Sequence, residues 1–127
     1  MPMKPEAGFQ VAVFEWATLM QGRWPELRFM YHCPNGGSRN KIEAIHLKAQ
    51  GVKAGVPDIF LPSARHSYHG LYIEMKAGKN KPTAAQLEYL EYLTEAGYLC
   101  EVCYNSIEAI NTIKEYLTAW RGDHLHE

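Results

Sequence analysis

The chain is poor in cysteine, with three in 127 residues: Cys33, Cys100 and Cys103. An odd number of thiols gives no self-contained disulfide framework, so the fold must rest on its core. Cys100 and Cys103 form a C-x-x-C, but the segment from Tyr98 to Tyr104 reads as a strand. Strand residues three apart point to opposite faces, and no second Cys pair or Cys/His pair at zinc spacing accompanies them. Buried or edge thiols are therefore the expectation, not a zinc or redox site. Long hydrophobic runs are also missing. The most apolar stretch, near Phe9 to Met20, contains Gln10, Glu15 and Thr18 and is too short to span a bilayer. The opening MPMKPEAG lacks the apolar region of a signal peptide. These absences lead to the expectation of a soluble cytoplasmic protein with no membrane partner. No internal repeat or low-complexity segment is present.

An excess of one charge is absent too, since 13 Lys and Arg face 14 Asp and Glu. The distribution is uneven, however. Residues 39–81 hold eight basic groups against three acidic, and residues 82–127 hold two against eight. A basic middle segment can engage phosphates locally even in a near-neutral chain, because the attraction is screened within about 8–10 Å. The same lysines would equally serve as ordinary solvated surface.

What the chain does have is enough apolar content, 46%, for one domain with a real core. That domain is expected over residues 1–127, with its core at about 8–117 and a frayed tail at 121–127. Residues 9–21 read as a helix on the spacing of Phe9, Val13, Trp16, Ala17 and Met20. Arg28 to His32 reads as a strand, stopped by the turn cluster from Pro34 to Ser38. A short helix over 40–50 carries Ile42, Ile45 and Ala49 on one side, with Gly51 at its C-terminal cap. Two strands follow, Val56 to Leu61 and Gly70 to Lys76. A helix from Pro82 to about Ala96 comes next, then a strand over 98–103. A last helix is capped by Ser106, with Ile107, Ile110, Ile113, Leu117 and Trp120 on one face. The order α, β, α, β, β, α, β, α predicts an α/β fold: a mixed four-stranded sheet flanked by helices, its last strand returning through a right-handed crossover.

The two central strands hold the chemistry. If they form a hairpin, Asp58 near the start of one lies beside Glu74 and Lys76 near the end of the other. Glu74 and Lys76 are two apart and share a face. Hard carboxylate oxygens suit Mg²⁺ or Mn²⁺, which acidify a bound water and clamp a phosphate oxygen. A lysine beside them can orient the attacking water or stabilise charge on the phosphorus. A plain cross-strand salt bridge also explains the trio, and D…ExK alone is a short pattern. Glu15, on an otherwise apolar helix, is either a further metal ligand or a residue of the wet side. Gln86 reads as the N3 partner of a Thr83-x-x-Gln86 capping box or as a site residue. His32, His66 and His69 receive no catalytic role.

The run from Gly51 to Pro62 (GVKAGVPDIFLP), then Leu71 to Lys76 (LYIEMK), then Lys81-Pro-Thr-x-x-Gln86 with Gly97-Tyr98, resembles the VRR-NUC family of the PD-(D/E)xK nuclease superfamily. Pro34 to Arg39 (PNGGSR) resembles it as well, and the likeness covers roughly residues 8–117. It implies a restriction-endonuclease-like core. It makes Asp58 and Glu74 the acidic metal ligands, with the main-chain carbonyl of Met75 adding an oxygen. It makes Lys76 the catalytic lysine, Glu15 the metal-facing glutamate of the first helix, and Gln86 a glutamine near the site. Arg39, Lys41, Lys53, Lys79 and Lys81 become candidate DNA contacts. Stand-alone members of the family resemble phage proteins that act as homodimers on four-way (Holliday) junctions. This implies a Mg²⁺- or Mn²⁺-dependent deoxyribonuclease acting on branched DNA in a bacterial host cell. Action on flaps, ends or duplex DNA, or a non-cleaving DNA-binding module, are the alternatives.

Overall fold

The computed structural model describes residues 4–35 and 40–125, with side chains as far as residue 118. Helix α1 spans Pro5–Leu19. Pro5 occupies the first turn, where its missing N–H costs nothing, and Glu6 meets the positive end of the helix dipole. The helix thus begins four residues before the apolar spacing predicts, because these starting signals carry no hydrophobic period.

Of the predicted strand over 28–32, Arg28 and Phe29 belong to a 3-10 turn, Pro25–Phe29, and only Tyr31–His32 form a strand, β1. Proline fixes the backbone angle that opens the turn. The buried residues Leu27 and Met30 are three apart, which suits a three-residue turn and not a strand's alternation.

Strands β2 (Ile59–Leu61) and β3 (Leu71–Met75) form the antiparallel hairpin, with Ile59 opposite Ile73. Residues 56–58 fall outside the ladder: Pro57 cannot donate to it, and Gly55 has φ +91°. Strand β4 (Leu99–Cys103) lies parallel to β3, joined to it by helix α3 (Ala84–Glu95). The sheet order is β1-β2-β3-β4, the mixed four-stranded sheet predicted. Cys100 and Cys103 are free thiols, the first half-buried and opposite Tyr72, the second buried and opposite Met75.

Strand alternation divides the sheet into two unlike faces. Ile59, Leu61, Leu71, Ile73 and Met75 are buried against Val13 and Ala17 of α1 and Ala109, Ile113, Tyr116 and Leu117 of α4. Asp58, Phe60, Tyr72, Glu74 and Lys76 alternate onto the other face. Helix α4 spans Ser106–Leu125. Its cap is Asn105, not Ser106: Asn105 Oδ1 accepts the Glu108 N–H, and Glu108 returns an oxygen to the Tyr104 N–H. Ile107 is exposed, and Ala109 takes its place on the buried face. The Trp120 side chain lies outside the described residues. Helix α2 (Lys41–Ala49) is capped by Asn40, buries no residue and packs on no other element among the described residues. None of the helices is long and apolar enough to cross a membrane, among the described residues.

Candidate active site

The hairpin brings Asp58 and Glu74 together as its register requires. The backbone N–H of Met75 donates to Asp58 Oδ2 at 2.7 Å, tying the loop-borne carboxylate to β3. The Met75 carbonyl leaves the strand on the same side as that N–H. Its side chain is buried in the core, so only main-chain groups of Met75 face the site. Gly55 holds the approach to Asp58. A Cβ there would meet the Ala85 carbonyl oxygen at 2.6 Å, so only glycine allows the chain to pass the start of α3 this closely.

Glu74 is the most constrained group. It is 1% exposed. Its Oε2 accepts from Gln86 Nε2 at 2.9 Å and lies 3.6 Å from Lys76 Nζ. Its Oε1 is buried with no hydrogen-bond partner among the described residues. Burial first, and the neighbouring Asp58 second, push the Glu74 carboxyl up to about 7, with Lys76 pulling the other way. Asp58 is also raised, chiefly by burial, against the hydrogen bond from Met75 and the charges of His32 and Lys76.

Gln86 fills both roles open to it. Its Oε1 accepts the Thr83 N–H at 2.8 Å, closing the capping box, and its Nε2 holds Glu74. The amide's two ends point to different partners, so the two functions coexist.

A cleft of about 350 Å³ opens over these residues. Asp58, Glu74, Met75, Lys76 and Gln86 line it together. Glu15 does not. It is exposed, and the carboxylate that α1 contributes is Glu6. The step of nine residues from one to the other is about two and a half turns, which puts the two on opposite sides of the helix. Glu6 and Gln10 both line the cleft and continue the stripe of Val13 and Ala17 backward at spacings of three and four. Reading that stripe to the first turn would have found them. His32, which carries no sequence signal for a role, is at the site as well: its Nδ1 lies 2.8 Å from the Asp58 carbonyl oxygen, and the ring lines the cleft with Lys4 and Asn35. Lys41, Lys53, Lys79 and Lys81 are exposed outside the cleft, and Arg39 lies outside the described residues.

The buried, unpartnered Glu74 oxygen beside a second carboxylate suits a divalent cation. No group of three or more His, Cys, Asp or Glu gathers closely enough to hold one unaided, among the described residues. Two carboxylates and a carbonyl with several waters is the coordination that Mg²⁺ accepts.

Two carboxylates and a lysine at the open end of a hairpin, in a mixed sheet flanked by helices, define a nuclease-type α/β domain. The VRR-NUC domain model matches residues 5–106, and the chain belongs to the VRR-NUC family. A solved VRR_NUC domain protein is 32% identical to it, with a TM-score of 0.74 over 92% of this chain and 91% of the other. No curated protein matches. The chain is thus a nuclease domain, of a family whose members generally depend on divalent metal.

Proposed function

We propose that this protein is a Mg²⁺- or Mn²⁺-dependent endonuclease that hydrolyses phosphodiester bonds in branched DNA, resolving four-way junctions as a homodimer in a bacterial host cell. The observation that carries the chemistry is the buried Glu74 carboxylate, one oxygen unpartnered, set between Asp58 and Lys76. Asp58, Glu74 and the Met75 carbonyl would hold the cation, with Glu6 adding negative charge from α1. Bound there, the cation would supply a water of lowered pKa and neutralise charge on the phosphate. Lys76 would orient the attacking water or donate to a phosphate oxygen as charge builds there. Gln86 fixes the direction of the Glu74 carboxylate. Lys41, Lys53, Lys79 and Lys81, with Arg39, would contact the DNA backbone.

The dimer is supported by what α2 leaves uncovered. The last helix also has an apolar face but spends it on α1 and the sheet. Ile42 and Ile45 of α2 are 66% and 65% exposed, and no other element packs on α2 among the described residues. A four-way junction is roughly two-fold symmetric, so paired incisions call for two symmetry-related sites. The test is a panel of labelled four-way junctions, flaps and duplexes incubated with wild type and Lys76→Ala. Junction incision by wild type alone is the expected result. Equal cleavage by both proteins would remove Lys76 from the site, and preferred cleavage of flaps or duplex would overturn the junction assignment.

A further inference from the structure

The sheet face that carries Asp58 and Glu74 also carries a patch of rings. Phe60 is two residues from Asp58 on the same face, and Tyr72 is two from Glu74. Each ring therefore stands about 7 Å along its strand from an active-site carboxylate. The two rings stack on each other, centroids 4.3 Å apart and planes 22° apart. Tyr31 of β1 meets Phe60 edge-on at 5.7 Å, and Tyr98 meets Tyr72 at 5.3 Å. His69 extends the row, 5.6 Å from Tyr98. Two glycines let rings lie down on the backbone: a Cβ at Gly70 would strike the Phe60 ring at 2.8 Å, and one at Gly97 would strike His69 at 2.6 Å.

This patch has no cover over its outer half. Helices α1 and α4 pack on the opposite face, α3 lies along β4 and meets β3 through Gln86 at the Glu74 end, and β1 touches only β2, among the described residues. Tyr31 is 51% exposed, and Phe60, Tyr72 and Tyr98 are each partly exposed. Rings with hydroxyl tips, on the same sheet face as the carboxylates of the cleft, suit one ligand in particular. Every nucleobase offers a π-face, and stacking on aromatic side chains needs no particular sequence.

We propose that this face is a stacking platform for unpaired bases of the DNA strand whose phosphate enters the cleft. The proposal rests on the nuclease reading and deepens it, because it gives branched substrates an advantage. In an uninterrupted duplex the bases are stacked on one another and closed to the platform. At a branch point or opened end, an unpaired base next to the scissile phosphate can lie on Phe60, Tyr72 or Tyr31. The aliphatic exposure on α2 lies on a different element, so base stacking and self-association need not share a surface.

The test measures binding to a single-stranded oligodeoxynucleotide containing 2-aminopurine, and to its matched duplex, in chelator so that the probe stays intact. Tyr31→Ala, at the exposed edge, and Tyr72→Leu, which keeps an apolar side chain, are compared with wild type. Each is expected to bind the single strand roughly tenfold more weakly, with duplex binding little changed and less quenching of the 2-aminopurine. Single-strand affinity equal to wild type in both variants would overturn the platform. So would a changed sedimentation coefficient with unchanged DNA binding, which would make the face a contact between copies. Loss of the platform leaves Lys76-dependent cleavage standing, whereas cleavage independent of Lys76 would overturn the nuclease site and leave the binding result standing.

Discussion

Replacing Glu74 by Gln should stabilise the metal-free protein while abolishing its use of metal. A carboxyl at its ordinary value of 4.5 in the unfolded chain is held at about 7 in the folded one. At about 1.4 kcal/mol per pH unit, this gap amounts to roughly 3 kcal/mol. The sign follows from which state binds the proton. Between pH 4.5 and about 7 the folded protein keeps a proton that the unfolded chain has released. The contribution to stability is therefore complete below 4.5, declines as pH rises through that window, and is lost above about 7. Glutamine is neutral throughout and escapes the decline. It also weakens the 3.6 Å contact with the nearly buried Lys76, which returns part of the gain. A net advantage of about 1–2 kcal/mol at pH 8 is expected, or several degrees in Tm for a chain of this size. Thermal melts of both proteins in chelator at pH 5 and pH 8 test this. The difference should be small at pH 5 and favour the variant at pH 8, and added Mn²⁺ should raise the Tm of wild type only. A variant that melts below wild type at pH 8 in chelator would refute the reasoning, by showing that ionised Glu74 stabilises the fold.

Three other outcomes are expected. Glu6→Gln should weaken Mn²⁺ binding by roughly tenfold in a calorimetric titration, while Glu15→Gln should leave it unchanged; the reverse result would restore Glu15 to the site. Gly55→Ala should cost about 2 kcal/mol or more in denaturant unfolding, because a Cβ meets the Ala85 carbonyl at 2.6 Å and φ is +91°. A stability within error of wild type would show that α3 can yield there. Ile42→Glu with Ile45→Glu should sediment as a monomer and lose paired incision of junctions, whereas an unchanged dimer would place the interface elsewhere.

The hairpin and its trio were legible because strand alternation and a two-residue spacing are short-range signals. Asp58, Glu74 and Lys76 share a face for the same reason that Ile59 and Ile73 share the other. Gln86 was visible as a cap, and its grip on Glu74 depends on how the crossover helix docks, which no local pattern encodes. Glu6 precedes the first apolar residue of α1, so the apolar spacing does not point to it, and Glu15 lies on the opposite side of the helix. The stripe of Val13 and Ala17 contained the correction. The ring patch was invisible for a different reason. Tyr31, Phe60, Tyr72 and Tyr98 are scattered over nearly seventy positions, and only the register of four strands assembles them. The exposure of α2 likewise emerges from the absence, among the described residues, of an element packed on it, not from its own sequence.

The placement of the site is tested most directly by anomalous diffraction from crystals soaked in Mn²⁺. The expected result is a peak between the Asp58 and Glu74 carboxylates, within coordination distance of the unpartnered Glu74 Oε1 and the Met75 carbonyl, and its loss in Asp58→Asn. A peak at another cluster, or none in crystals of a protein that cleaves DNA with Mn²⁺ in solution, would contradict it.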